Sequence, residues 1–143
     1  MALALDLARA AGEAGEVPVG AVVVHQVRVV GRSGNRREEL RDPTAHAEVL
    51  ALREAAATLD SWRLDGATLV VTLEPCPMCA GALLAGRVAR VVFGAANPDA
   101  GACGTLYNLC VDPRLNHEVE VVHGVDAEAA SALLTTFFAD RRR

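Results

Sequence analysis

Lysine is absent from this chain of 143 residues; all fourteen basic residues are arginine. Schiff-base chemistry and a phosphate-loop lysine are therefore excluded. Aromatic residues make up only 3% of the chain. The longest uncharged stretch near the middle, Pro75 to Gly86, is too short to span a bilayer and carries two prolines. No basic segment followed by an apolar core opens the chain, so nothing marks export and the expected location is the cytoplasm. No repeat, low-complexity tract or linker is found, and residues 1–143 read as a single domain. The net charge of −4 argues against a general nucleic-acid coat.

The 52% of hydrophobic residues is mostly alanine and valine, which excludes disorder and predicts close backbone packing. Apolar spacing predicts a helix over residues 2–14, ended by Gly15. Val19–Val24 reads as a strand buried on both faces, with Val27–Gly31 as its antiparallel partner. Residues 33–43 are polar and arginine-rich, and read as a loop. Thr44 is the expected N-cap of a helix over 45–59. A strand over 67–73, a helix from Pro77 to Gly86 and a strand over 88–93 follow. After a Gly- and Ala-rich loop at 94–104 come a strand over 118–122 and a last helix over 127–139. Five short strands alternating with helices predict an α/β fold, a central sheet covered on both faces in three α/β/α layers.

The chemistry lies in two pieces, His46-Ala47-Glu48 and Pro75-Cys76-Pro77-Met78-Cys79. Each falls at an expected helix N-terminus, where unpaired amides and the helix dipole favour thiolate. One imidazole and two thiolates suit zinc, with the fourth tetrahedral position left for water, as catalytic zinc requires. Glu48 is the natural general acid/base. Residues two apart on a regular helix do not share a face, so Glu48 should approach the water from another direction than His46. Two other readings stand beside this one. Cys76 and Cys79 could form a redox pair, or Cys103, Cys110, His117 or His123 could close a structural zinc site. Cys103 and Cys110 also read as packed thiols.

His-x-Glu followed by Pro-Cys-x-x-Cys is the signature of the zinc deaminases. Beyond it, Val17-Pro-Val-Gly-Ala-Val, Asp42-Pro-Thr-Ala-His-Ala-Glu, Val71-Thr-Leu-Glu-Pro-Cys-Pro-Met-Cys-Ala-Gly-Ala, Asn116-His-Glu-Val-Glu and Leu133-Leu-Thr-Thr-Phe-Phe recur in order along nearly the whole chain. In these stretches the chain resembles the bacterial tRNA-specific adenosine deaminases of the cytidine deaminase superfamily. The resemblance implies a cytidine-deaminase-like five-stranded mixed sheet, and one zinc per subunit on His46, Cys76 and Cys79. It implies hydrolytic conversion of adenosine to inosine at the wobble position of a transfer RNA, with Glu48 carrying the proton. It also implies a homodimer that binds the anticodon stem-loop, with no membrane association. Asn35, the Ala47 amide and Asn97 would then meet the substrate. The family usually carries an acid where Asn97 stands, and Met1 falls inside what should be the first helix. A deaminase of free guanine or cytosine, sharing the metal motif, is the alternative.

Phe137 and Phe138, adjacent on a helix, point different ways: both could pack in the core, or one could face a flanking base. Five arginines, Arg28, Arg32, Arg36, Arg37 and Arg41, cluster around Asn35, and Arg141-Arg142-Arg143 close the chain. Such a local basic rim is compatible with net acidity.

Overall fold

The computed structural model describes residues 1–141. Arg142 and Arg143 of the basic tail lie outside the described residues. Helix α1 (Ala2–Glu13) leads into the hairpin β1 (Gly20–His25) and β2 (Arg28–Gly34). The short helix α2 (Arg37–Leu40) and the longer α3 (Ala47–Leu59) follow, then β3 (Thr68–Leu73), α4 (Pro77–Ala85) and β4 (Arg90–Ala95). A single 3-10 turn at Leu109–Val111 precedes β5 (Glu120–Val122) and the final helix α5 (Ala127–Arg141). The sheet order is β2-β1-β3-β4-β5. The β1 strand pairs antiparallel with both β2 and β3, while β3, β4 and β5 run parallel, so the sheet is mixed. Helices α1 and α5 pack together on one face, and α3 and α4 cover the other. These are the three layers that the alternation of elements implied.

Small residues set the spacing of the layers. A Cβ added at Gly20 would lie 2.0 Å from the Ala4 carbonyl oxygen, and one at Gly31 would lie 2.2 Å from that of Ala51. Backbone thus meets backbone where α1 crosses β1 and where α3 crosses β2. The alanines at these crossings (Ala4, Ala8, Ala51 and Ala55) are fully buried. The alanine-rich composition is spent on this approach.

Three local readings change. The stretch read as a loop contains α2, whose polar sequence gives no apolar period. It is held by a residue far away in sequence: the buried Glu16 carboxylate accepts the amides of Glu38 at 3.0 Å and Glu39 at 2.9 Å. Thr44 does not cap α3, because its amide and hydroxyl both bond the Asp42 carboxylate, at 2.8 and 2.7 Å. The cap position belongs to His46, which is extended at φ −70°, ψ 149°. The hairpin turn is Gln26–Val27, both at positive φ.

Candidate active site

Helix α4 follows directly on the central strand β3, and both α3 and α4 begin on a metal-ligating residue type. His46 is the N-cap of α3, Cys76 is the N-cap of α4, and Pro77 occupies the first turn of α4. His46 Nδ1 lies 3.7 Å from Cys76 Sγ and 3.4 Å from Cys79 Sγ. The three ligand atoms all lie within 4.8 Å of one another. For ordinary zinc–nitrogen and zinc–sulfur bonds at tetrahedral angles, nitrogen and sulfur should be roughly 3.5 Å apart. The donor set fits zinc.

Among the described residues, no fourth His, Cys, Asp or Glu joins this group. The other candidates are engaged elsewhere. Cys103 and Cys110 face each other at 3.6 Å, as the packed-thiol reading had it. The Nε2 of His117 bonds the Val88 carbonyl at 2.8 Å, and His123 stacks obliquely on Phe93. A closed structural centre therefore has no fourth side chain. The gathering of both thiols around an imidazole also distinguishes the site from a bare redox pair.

The electrostatics suit a metal site. A hydrogen bond from the Cys79 thiol holds the Cys76 thiol down at about 4; burial opposes this and His46 assists it. The proton stays on Cys79, raised by the Cys76 hydrogen bond and by burial. The His46 ring is raised by its bond to the Cys76 sulfur, against its own desolvation. Zinc binding requires both thiols to be deprotonated, and the first is already poised for it.

Glu48 is buried in the first turn of α3. Burial pushes its carboxyl above the usual range, against its own backbone amide and the His46 charge. A raised carboxyl pKa suits a group that must both take and give a proton. Because His46 sits outside the helical conformation, the rule for residues two apart does not separate the pair. His46, Glu48 and Cys76 line one cavity of about 130 Å³, together with Val17, Asn35, Arg37, Glu74 and Asn97.

The remaining sequence candidates are present but mostly engaged. The Asn35 side chain donates to the Val17 carbonyl at 3.1 Å and accepts the Ala47 amide at 2.8 Å. The Ala47 amide is thus bound within the protein. Asn97 turns its Oδ1 onto the amides of Asp99 and Ala100, each at 3.1 Å.

A second cavity of about 430 Å³ shares Val17, Asn35 and Arg37 with the first, and adds Glu16, Phe137, Phe138 and Arg141. The Arg141 guanidinium lies 4.3 Å from the Phe137 ring centre and donates to the Gly15 carbonyl at 2.7 Å. Neither phenylalanine is in the buried core, so the reading that both pack there is corrected.

Sequence reasoning missed Glu74, which is only 1% exposed. Its backbone and side-chain partners come from residues 95–105, beyond the reach of local pattern. The available signal was an acid ending an apolar strand run, Val71-Thr-Leu-Glu. Burial raises its pKa, but hydrogen bonds from the Thr105 hydroxyl and the Asn97, Thr105 and Cys103 amides outweigh this and leave it lowered.

A family model for MafB19-like deaminases matches residues 1–142. The chain is 50% identical over 140 residues to the tRNA-specific adenosine deaminase of Bacillus subtilis, covering 98% of this chain and 87% of that one. It superposes with a TM-score of 0.91 and 46% identity on a structure from a study of A-to-I editing by tRNA:A34 deaminases at the wobble position of transfer RNA. That match covers 94% of this chain and 97% of the other. A guanine deaminase from Nitrosomonas europaea is more distant, at a TM-score of 0.78 and 31% identity over 96% of this chain and 82% of the other. The chain belongs to the MafB19-like deaminase family and, within it, to the tRNA-specific adenosine deaminases.

Proposed function

We propose that residues 1–143 act as one zinc-dependent domain that deaminates adenosine to inosine at the wobble position of a transfer RNA, releasing ammonia. The observation that carries this reading is a buried Glu48 sharing a cavity with two of the three clustered ligands, His46 and Cys76. His46, Cys76 and Cys79 would hold zinc. When bound, zinc supplies a Lewis acid that makes water a competent nucleophile near neutral pH.

Glu48 takes the proton from water as its oxygen adds to C6 of adenine, and delivers that proton to N1. It then takes the remaining proton from the hydroxyl added at C6 and passes it to the departing amino group, which leaves as ammonia, and inosine remains with its C6 carbonyl. The Asn35 amide, already fixed at both ends by Val17 and Ala47, is a preorganised edge on which the nucleoside can register. Ala47 acts through that bond, and Asn97 lines the other part of the wall. The groove of Phe137, Phe138 and Arg37 has the aromatic and guanidinium surfaces that unstacked RNA uses. It supports an anticodon stem-loop over a free base. The homodimer and the cytoplasmic location belong to the same proposal.

The deciding experiment offers zinc-loaded protein an anticodon hairpin with adenosine at the wobble position and, separately, free guanine, cytosine and adenosine. Ammonia is expected from the hairpin alone. Ammonia from free guanine or cytosine, with none from the hairpin, would replace this reading with a free-base deaminase.

A further inference from the structure

Glu74 has no place in the ligand cluster, yet it is more completely buried than Glu48. It follows directly on β3 and stands two residues before Cys76. One carboxylate oxygen accepts the Asn97 amide at 3.1 Å and the Thr105 hydroxyl. The other accepts the amides of Cys103 at 3.0 Å and Thr105 at 3.1 Å. The flanking backbone repeats the join. The Glu74 amide donates to the Ala95 carbonyl at 2.8 Å, and the Ala102 amide donates to the Pro75 carbonyl at 2.9 Å. Residues 97–105 are therefore wrapped around a single buried acid. The wrapping is tightest at Gly101, where a Cβ would lie 2.5 Å from the carboxylate.

Both ends of this arrangement reach the catalytic cavity. On one side the chain passes from Glu74 into Cys76, and on the other Asn97 forms part of the wall. Asn97 Oδ1 closes the turn on Asp99 and Ala100, which fixes the side chain to the 97–105 segment. The Asn97 backbone that carries this part of the wall is itself held by its amide on the Glu74 carboxylate.

We propose that Glu74 is a positioning residue for the substrate, holding the Asn97 wall in register with the metal side of the cavity. This rests on the deaminase reading of the site. Small misplacements of a positioning group are costly to turnover, whereas the three metal ligands keep their own helix anchors. The loss should therefore fall on substrate binding and not on metal retention.

The test compares wild type, Glu74→Gln, Thr105→Val, Asn97→Ala and the Glu74→Gln/Asn97→Ala double variant. Each is assayed for bound zinc, kcat and KM on whichever of hairpin or free guanine the wild type deaminates. Glu74→Gln keeps the shape but turns an amide NH2 toward N–H and O–H donors. We expect full zinc content, kcat/KM lowered by about tenfold or more, and KM raised more than kcat falls. Thr105→Val, which removes one of the four bonds, should move in the same direction by about two- to fivefold. The double variant should be no worse than the stronger single, within about twofold, because both changes remove the same contact.

Zinc lost in step with activity would make Glu74 a support for the Cys76 loop and overturn the proposal. Independent, multiplying effects of Glu74→Gln and Asn97→Ala would overturn it too. A wild type that deaminates neither compound would refute the functional reading first, and this assignment with it.

Discussion

Glu48 carries the most specific chemical expectation at the scale of single residues. It is buried and its carboxyl is pushed up, but it is not one of the three clustered ligand types, His46, Cys76 and Cys79. Glu48→Gln should therefore retain zinc and lose ammonia release by about 10²- to 10⁴-fold, the usual worth of a general acid/base. Metal analysis beside a turnover assay checks this, and normal turnover would remove Glu48 from the mechanism. The ligand types were legible in the sequence because His-x-Glu and Pro-Cys-x-x-Cys carry their chemistry in their spacing. The roles of Asn35 and Glu74 were less so. Asn35 could be flagged as a polar residue near the site, but its two backbone partners, Val17 and Ala47, come from different elements. Glu74 is defined by a loop more than twenty residues downstream.

Apolar patterning, with cap, Gly and Pro signals at the ends, found every strand and four of the five α-helices among the described residues. It failed at α2 and at the start of α3, where side-chain carboxylates decide the local structure. Glu16 accepts the α2 amides and Asp42 draws Thr44 away from the cap. The hairpin turn runs against its own sequence. Gln26 and Val27 sit at φ 50° and 56°, and Val27 is 99% exposed. A two-residue turn with both φ positive favours Asn-Gly, and a β-branched residue there is strained. Val27→Gly should stabilise the protein by about 1 kcal/mol, raising the melting temperature by roughly 2–4 °C. A lower melting temperature would show that the turn is not strained. The crossing of α3 on β2 gives the opposite sign. Gly31→Ala would drive its Cβ into the Ala51 carbonyl, and should cost at least about 3 kcal/mol. Gly81→Ala on α4 is its control, since its Cβ meets nothing within 4 Å. That variant should gain about 0.5–1 kcal/mol from helix propensity. Denaturant unfolding of the pair separates close packing from mere glycine loss, and equal effects would count against the packing argument.

Charge is distributed unevenly over the whole molecule, and the net value conceals it. Of the five arginines that cluster in sequence near Asn35, Arg28 and Arg32 lie on β2, and Arg36 and Arg41 flank α2. Arg37, on α2, is the one that lines both cavities. Arg28 pairs with His25 at the hairpin end of β2, away from Asn35, so the five do not form one rim. The acids matter as much for stability, and Glu74 most directly. Its folded pKa is lowered from the ordinary 4.5, because the hydrogen bonds from Thr105, Asn97 and Cys103 outweigh the cost of burial. A group with a depressed folded pKa contributes stability that is fully present above its unfolded pKa. That contribution is lost as pH falls through 4.5 and on through the folded value. Zinc release in acid would mimic the effect, so the comparison belongs in metal-free protein. Between pH 7 and pH 3, metal-free wild type should lose stability more steeply below about 4.5 than metal-free Glu74→Gln, which has no charge at this position to titrate. The two curves should converge toward the acid end, with the variant lower at neutral pH because its amide NH2 opposes the donors of the 97–105 segment. Thermal or urea unfolding across that range measures the difference. Parallel curves would mean that the buried carboxylate is not what ties acid stability to the loop.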